Sequence, residues 1–488
     1  MEDALEQLDR ELASLEQGIL DAKKQHQQQL AELPKRCQQA AANLIQYLYF
    51  RSEDRKSLQE QLHLYGLSAL SNSENHIHRQ IQTIRERLGF RYAPEERNSC
   101  TYAYSQEQLA ANSRELFGEA DNPGMPAIMV TFDTGFARDS STIEALLLHG
   151  MNVARINCAH DDEAVWKSMI EQIRSAEKAT GKSCKIHIDL AGPKIRTRLL
   201  GKGQKRGKVK VAVGDQVWLA ETTHGFDSED IVLHPNEEGI IASLELGQRV
   251  FIDDGAIGGH ISATLPGKVA VSIERVSSKK GWLKEGKGIN FPDSRLTIPS
   301  LTDFDIECLR FVCEHADTLG YSFVKTPQDI GRLREAMQKQ GCNAPAIVYK
   351  IETPDSVANL PALILEGMKS PPFGVMIARG DLAVEIGFER MGEIQEEILW
   401  ICEAAHVPVV WATQVLENLH KSGMPTRSEI TDAGQAVLAE CVMINKGAHT
   451  IPVLKSLKEI MERTSGRRTK KKFTLGHLHI ARDFFQPG

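Results

Sequence analysis

The sequence predicts an α/β protein: a (β/α)8 barrel with an inserted β-rich domain and a preceding α-helical extension. Three observations carry the prediction. From residue 126 onward, short apolar runs alternate with helical stretches at a regular beat, and eight strand–helix pairs can be counted along it. The beat breaks once, over residues 198–290, where Gly, Lys, Val and Ser dominate and turn signals separate strand-like pieces. Before residue 122 the pattern is helical only.

Composition sets the frame for these elements. The chain has 488 residues, 41% hydrophobic and 25% charged, which is ordinary globular usage. A net charge of -7 gives no reason to expect nucleic acid or an anionic membrane as a partner. No apolar run approaches the roughly 18 to 20 residues of a membrane span. The acidic, Gln-rich start does not resemble a secretory signal or transit peptide. Nine cysteines without a CxxC pair read as reduced thiols of a cytoplasmic protein.

Residues 4–33 are predicted helical, with Leu5, Leu8, Leu12, Leu15, Ile19 and Ala22 at heptad-like spacing and Gly18 as a weak point. Two readings stand: a helix packed on its own protein, or a short coil joining copies. The second makes the N-terminal helices a candidate contact in an expected homo-oligomer. Further helices are predicted over 37–50, 57–64 and 74–88, and residues 89–124 read as a polar helical linker with a boundary near Asn122. The expected domains are 1–122 (extension and linker), 123–197 with 291–464 (barrel), 198–290 (insertion) and 465–488 (basic polar tail, including Arg467, Arg468 and Lys470).

In the barrel, strands are predicted over 127–132, 152–157, 185–190, 321–325, 346–349, 373–378, 407–413 and 441–445. Their carboxyl ends carry charge. The second strand ends in Arg155 and Asn157, and the third in Asp189, with Lys194 and Arg196 beyond. The fourth carries Ser322 and Lys325, the fifth ends in Lys350 and Glu352, the sixth in Asp381 and the seventh in Thr413. Ligands gather at this end of such barrels. Two carboxylates, Glu352 and Asp381, suit a hard divalent cation such as Mg2+, whose other ligands are water or substrate oxygens. Cations around such a pair describe a place for phosphate and a small anionic substrate.

Ordered motifs now add a resemblance. MNVARINCAH, IHIDLAGPKIRT, VFIDDGAI, KGINFPDSRLTIPSLTDFD, YSFVKTPQDI, YKIETPDSV, MIARGDLAVEI, WATQVLE and PTRSEITDA resemble, in order and spacing, the motifs of the pyruvate kinase family from about Ala127 to Leu457. The resemblance implies a TIM barrel with a β lid. It also implies Mg2+-dependent (or Mn2+-dependent) phosphoryl transfer from phosphoenolpyruvate to ADP, giving pyruvate and ATP. By the same resemblance Glu352 and Asp381 hold the metal, and Lys350 stabilises charge developing during transfer. Arg155 and Ser322 contact the phosphate. Gly380 and Asp381, with Thr413, hold the substrate carboxylate. Arg196, Lys287 and His160 serve the nucleotide. Alternatives are a related metal-dependent lyase acting on enolpyruvate carbon–carbon bonds and a catalytically inactive scaffold.

The sequence also departs from the family pattern. The loop after the second strand reads Asn157-Cys158-Ala159-His160, without the usual serine, and the loop after the eighth reads Asn445-Lys446-Gly447-Ala448. The expectation is that the family's C-terminal effector domain is absent and that no response to a sugar bisphosphate occurs through that pocket. Leu190 and Lys194 stand where potassium-requiring members have Thr and Glu. The expectation is that K+ is not required, with the Lys194 ammonium beside Asn157 and Asp189 supplying the ion's charge.

Overall fold

The computed structural model describes residues 2–465 apart from 121, 123, 278–280, 343 and 344; the basic tail lies outside the described residues. Its centre is a closed, parallel eight-stranded barrel. The N-terminal extension precedes it as six helices, α1 (Glu2–Gln25), α2 (Gln27–Ala31), α3 (Lys35–Arg51), α4 (Lys56–Leu64), α5 (Ile77–Arg87) and α6 (Tyr102–Phe117). The barrel opens with β1 (Ala127–Thr131), α7 (Ser140–Leu148), β2 (Val153–Asn157), α8 (Glu163–Thr180) and β3 (Lys185–Asp189). Nine short strands of the insertion follow among the described residues, β4 (Thr197–Leu199) through β12 (Ile289–Asn290). Seven form one mixed sheet and two pair separately. Their core is a separate cluster that includes Val217, Leu219, Ile257 and Ile273.

The barrel resumes with α9 (Asp303–His315), β13 (Thr318–Tyr321), α10 (Pro327–Lys339) and β14 (Ala346–Ile351). Next come α11 (Pro354–Ala358), α12 (Leu360–Gly367), β15 (Phe373–Ala378), α13 (Arg379–Ile386) and α14 (Met391–Ala404). It closes through β16 (Val409–Ala412), α15 (Glu417–Ser422), α16 (Arg427–Ala436), β17 (Cys441–Ile444) and α17 (Thr450–Ser465), with β17 pairing β1 in parallel. Several helices start on side-chain caps: Thr302, Thr326, Thr353 and Thr426 each sit in a capping box.

Several sequence expectations need correction here. The strand predicted over 321–325 is β13 at 318–321, starting three residues earlier. Phe323 has a φ of 55° and donates its N–H to Glu352, so the ladder stops and Ser322 lies in the loop. The second correction concerns the polar linker. It contains α6, whose last residues Leu116 and Phe117 are fully buried and cluster with Met129, Val153, Met376 and Met443 inside the barrel. Leu116 approaches Gly374, at the start of β15, so the helix plugs the end opposite the charged mouth. Its polar exterior hid this short apolar tip.

The heptad residues Leu8, Leu12, Leu15 and Ile19 are buried in the core of their own chain. The seam that would zip two copies together is therefore covered by the rest of the extension. Gly18 is not a weak point, because a Cβ there would collide with the Tyr49 ring of α3. The reduced-thiol expectation also fails in part. Cys313 and Cys342 form a disulfide with Cα atoms 5.7 Å apart, while the other seven cysteines are buried and take part in no disulfide among the described residues. Their separation of 29 residues matches no local motif; the barrel brings the end of α9 beside the turn after α10.

Candidate active site

The mouth is built around Asp189, the fully buried last residue of β3. Arg155, on the neighbouring strand β2, donates to its Oδ2 from Nε at 2.9 Å and from Nη2 at 2.5 Å. His187 Nε2 lies 2.8 Å from Oδ1, and Lys350 Nζ is 3.4 Å from Oδ2. Burial alone would push the Asp189 carboxyl up. The Arg155 and Lys350 charges, with His187, override it and hold the group well below the ordinary carboxylate range. Gly320, on β13, packs against this cluster; a Cβ there would collide with Asp189 Oδ1. Arg155 is fixed further by its Nη1 bond to Thr131 Oγ1 at 2.9 Å.

Lys350 is 7% exposed and donates to Ser322 Oγ at 2.8 Å. Its Nζ also lies 3.2 Å from Glu352 Oε1. Burial would lower its pKa, yet Asp189 and Glu352 raise it, so the ammonium keeps its charge. Ser322 is in turn anchored by donating to the Leu190 carbonyl at 2.7 Å.

Glu352 is 2% exposed and accepts the Phe323 N–H at 2.6 Å. Its pKa is raised, first by burial and then by the facing charge of Asp381, with Lys350 opposing. A buried carboxylate with a second one facing it fits a divalent cation, which would balance the charge of both. No group of three or more His, Cys, Asp or Glu suited to a metal occurs among the described residues, so substrate or water oxygens would complete such a shell. Asp381 sits in the first turn of α13, reached directly from β15. Arg379 beside it faces away from the mouth, held by Asp432 at 2.5 Å and by the Ala412 carbonyl at 2.9 Å.

Thr413 follows β16 with a φ of 66°, and its Oγ1 is buried without a hydrogen-bond partner among the described residues. A left-handed threonine is strained backbone. Here it leaves a buried hydroxyl beside Gly380, unspent on the protein.

These groups line a cavity of about 430 Å3 that takes in Arg155, Asn157, His160, Lys194, Arg196, Lys287, Ser322, Lys350, Glu352, Asp381 and Thr413. Of the predicted set, Asp189 lies beneath its floor, and Gly380 flanks it. The lid supplies one rim. Lys287 Nζ pairs with Asp253 at 2.9 Å, and Arg196 Nη1 donates to the Gly286 carbonyl at 3.0 Å. The His160 pKa is lowered by burial, then by Lys446 and Arg196, which leaves it a neutral ring among cations.

Lys194 is not where the sequence placed it. Its Nζ donates to Asp381 Oδ1 at 2.7 Å and lies 3.8 Å from Asp254, a lid residue. Asn157 Oδ1 instead accepts the Ala159 N–H at 2.9 Å, and Asp189 is spent on Arg155, His187 and Lys350. The physical reason is competition: two internal cations already satisfy Asp189, whereas Asp381 offers an oxygen with none nearer. Sequence reasoning also missed His187, Thr131, Asp253, Asp254 and Lys446. The two-residue spacing of His187 and Asp189 along one strand face was the available signal for the first.

The fold and site define a lidded (β/α)8 barrel whose mouth gathers buried cations around a pair of carboxylates. A family model described as the pyruvate kinase barrel domain matches residues 127–450, and the chain belongs to the pyruvate kinase family. Pyruvate kinase of Bacillus licheniformis is 29% identical over 339 residues, 67% of this chain and 55% of that protein. Pyruvate kinase of Dictyostelium discoideum is 32% identical over 344 residues, 69% of this chain and 66% of that protein. For that of Staphylococcus aureus (strain COL) the values are 32% over 297 residues, 60% and 48%. The chain thus spans about half to just under two thirds of the curated relatives it matches. Among the described residues no helix is long and apolar enough to cross a membrane.

Proposed function

We propose that the protein is a Mg2+-dependent phosphotransferase of the cytoplasm that moves the phosphoryl group of phosphoenolpyruvate to ADP, yielding pyruvate and ATP without a need for K+. The observation that carries the reading is the buried Lys350 ammonium, kept charged between Asp189 and Glu352 at the mouth of a family barrel. In the transfer, the bond from phosphorus to the enol oxygen breaks and one to the terminal ADP oxygen forms. The enolate left behind takes a proton at carbon to become pyruvate. A divalent cation at Glu352 and Asp381, when bound, supplies Lewis-acid stabilisation of substrate oxygens.

The chain's own residues do the rest. Arg155 is preorganised by Asp189 and Thr131, so its guanidinium meets a phosphate without first paying reorganisation. Lys350 and Ser322 lie on the same wall, where an ammonium can follow charge as it spreads over the moving oxygens. The unpartnered Thr413 hydroxyl and the first turn of α13 suit a carboxylate. Arg196 and Lys287, held near the lid rim by a carbonyl and a carboxylate, suit nucleotide phosphates, with His160 alongside. A lid over the mouth limits hydrolysis of the donor.

Independence from K+ is supported by how Asp189 is used. Arg155 and Lys350 already neutralise it, and the Asn157 carbonyl is engaged by its own loop. A lactate dehydrogenase-coupled assay with phosphoenolpyruvate, ADP and Mg2+ tests both parts. Turnover is expected, at nearly equal rates in potassium and tetramethylammonium buffers. Absence of turnover refutes the activity and leaves the lyase or the inactive scaffold; strong potassium activation refutes only the ion reading.

A further inference from the structure

The N-terminal helices contain a second cleft, of about 730 Å3, larger than the mouth and on a different domain. It lies between α1, α2 and α3 on one side and residues 95–99 on the other. Its floor is polar although buried: Gln46 is 1% and His78 5% exposed. The floor is also rigid. His78 Nε2 pairs with Glu16 at 3.0 Å, and Glu16 further accepts from Arg85 at 2.6 Å and the Tyr92 hydroxyl at 2.5 Å. Leu20, Leu30 and Ala42 supply a small apolar wall.

The rim is cationic. Lys23, Lys24 and Lys35 line it, all exposed, and none has an ion pair among the described residues. Arg97 on the same rim is tied to Glu86 at 2.9 Å, and Glu96 caps the Ala93 N–H at 2.8 Å; Glu95 is the remaining acid there. Three unpaired ammonium groups over one cleft are a local excess in a chain of net charge -7. Gln38 and Gln39 donate their amide N–H groups to the Leu33 carbonyl and the Ser99 hydroxyl. Their amide oxygens, which have no partner among the described hydrogen bonds, remain able to accept from hydroxyl groups.

We infer that this cleft binds a small hydroxylated organic anion carrying two or more negative charges, either a phosphate ester or a hydroxycarboxylate. Lysines on the rim match the charge, and the amides within match the hydroxyls. The cleft is also placed to report to the barrel. Its long wall is α3, and from the same helix Asn43 Nδ2 donates to the Ala404 carbonyl at the end of α14 at 2.8 Å.

Isothermal titration on the full chain without metal tests the inference, with citrate as the hydroxycarboxylate and glycerol 2-phosphate as the phosphate ester. Lys350→Met protein is titrated in parallel to separate the cleft from the mouth. At least one probe is expected to bind one-to-one with a Kd below about 1 mM, equally well in Lys350→Met. Which probe binds identifies the anion class. The triple variant Lys23→Glu, Lys24→Glu, Lys35→Glu is expected to weaken that binding at least about tenfold. Its circular dichroism and its activity without the anion should stay unchanged. No heat from either probe, binding lost in Lys350→Met, or full affinity in the triple variant would overturn the inference. Because heat rather than turnover is read, the result does not depend on the proposed catalytic activity.

Discussion

Replacing Lys350 by Met deletes the one ammonium that touches Asp189, Glu352 and Ser322 together. The side-chain length is nearly kept, so the change is one of charge. Breaking a buried ion pair costs about 3 to 5 kcal/mol of stability. Here the cost should fall near the low end, about 3 kcal/mol, for two reasons. Asp189 keeps Arg155 and His187, and Glu352, whose pKa is already raised, can take up a proton. The catalytic cost should be larger. Loss of a single preorganised donor costs about 10²- to 10³-fold in kcat, and a full charge in a dry site exceeds that, so a fall of about 10³- to 10⁴-fold is expected. The coupled assay measures it, with KM for phosphoenolpyruvate expected to move far less than kcat. Thermal melts and circular dichroism run beside it. A kcat within about tenfold of the parent, together with a large drop in melting temperature, would show that the lysine only supports the fold.

Two further outcomes are expected. Glu16 has its pKa lowered from 4.5 to about 2 by hydrogen bonds from His78, Tyr92 and Arg85, against the opposing effect of burial. A depressed carboxylate stabilises the fold above its unfolded pKa and loses that contribution as pH falls through the folded value. Glu16→Gln should therefore destabilise the helical extension at pH 7 by about 2 kcal/mol after discounting for solvent screening. The difference between variant and parent should shrink as pH falls from about 4.5 toward 2, checked by chemical denaturation over that range. Phe117→Ala empties the barrel's plugged end; a loss of about 3 to 4 kcal/mol is expected, with kcat unchanged at temperatures where the variant stays folded, read by melting and the coupled assay.

The sequence made the barrel legible because periodicity survives there: each strand is an apolar run, each helix an amphipathic one, and the charges sit where the runs end. That is why Arg155, Ser322, Lys350, Glu352, Asp381 and Thr413 come to one cavity as the strand ends suggested. The misses have a different character. The tip of α6 is two apolar residues, too few to show a period, and its role comes from where the helix docks. The Cys313–Cys342 pairing depends on the end of α9 meeting the turn after α10. The heptad leucines were visible, but whether they face a copy or the same chain is decided by α3 and α5, which no local pattern reports.

Lys194 shows most clearly where reading by position ends. Its location at the mouth follows from the chain leaving β3 toward the lid. Its partner does not, because a lysine stem of four carbons reaches several carboxylates and the choice is settled by which of them is already neutralised. Asp189 has two cations within 3.4 Å and is held strongly ionised by them. A third ammonium there would face repulsion from both. Asp381 instead faces Glu352, whose pKa is raised first by burial and further by the excess of negative charge it shares with Asp381. An ammonium at 2.7 Å relieves that excess and has its own pKa raised by Asp381 despite burial. The same excess is what suits the pair to a divalent cation. A divalent cation held by Asp381 would compete with Lys194 for the same carboxylate oxygen, and this lysine also lies 3.8 Å from Asp254 of the lid.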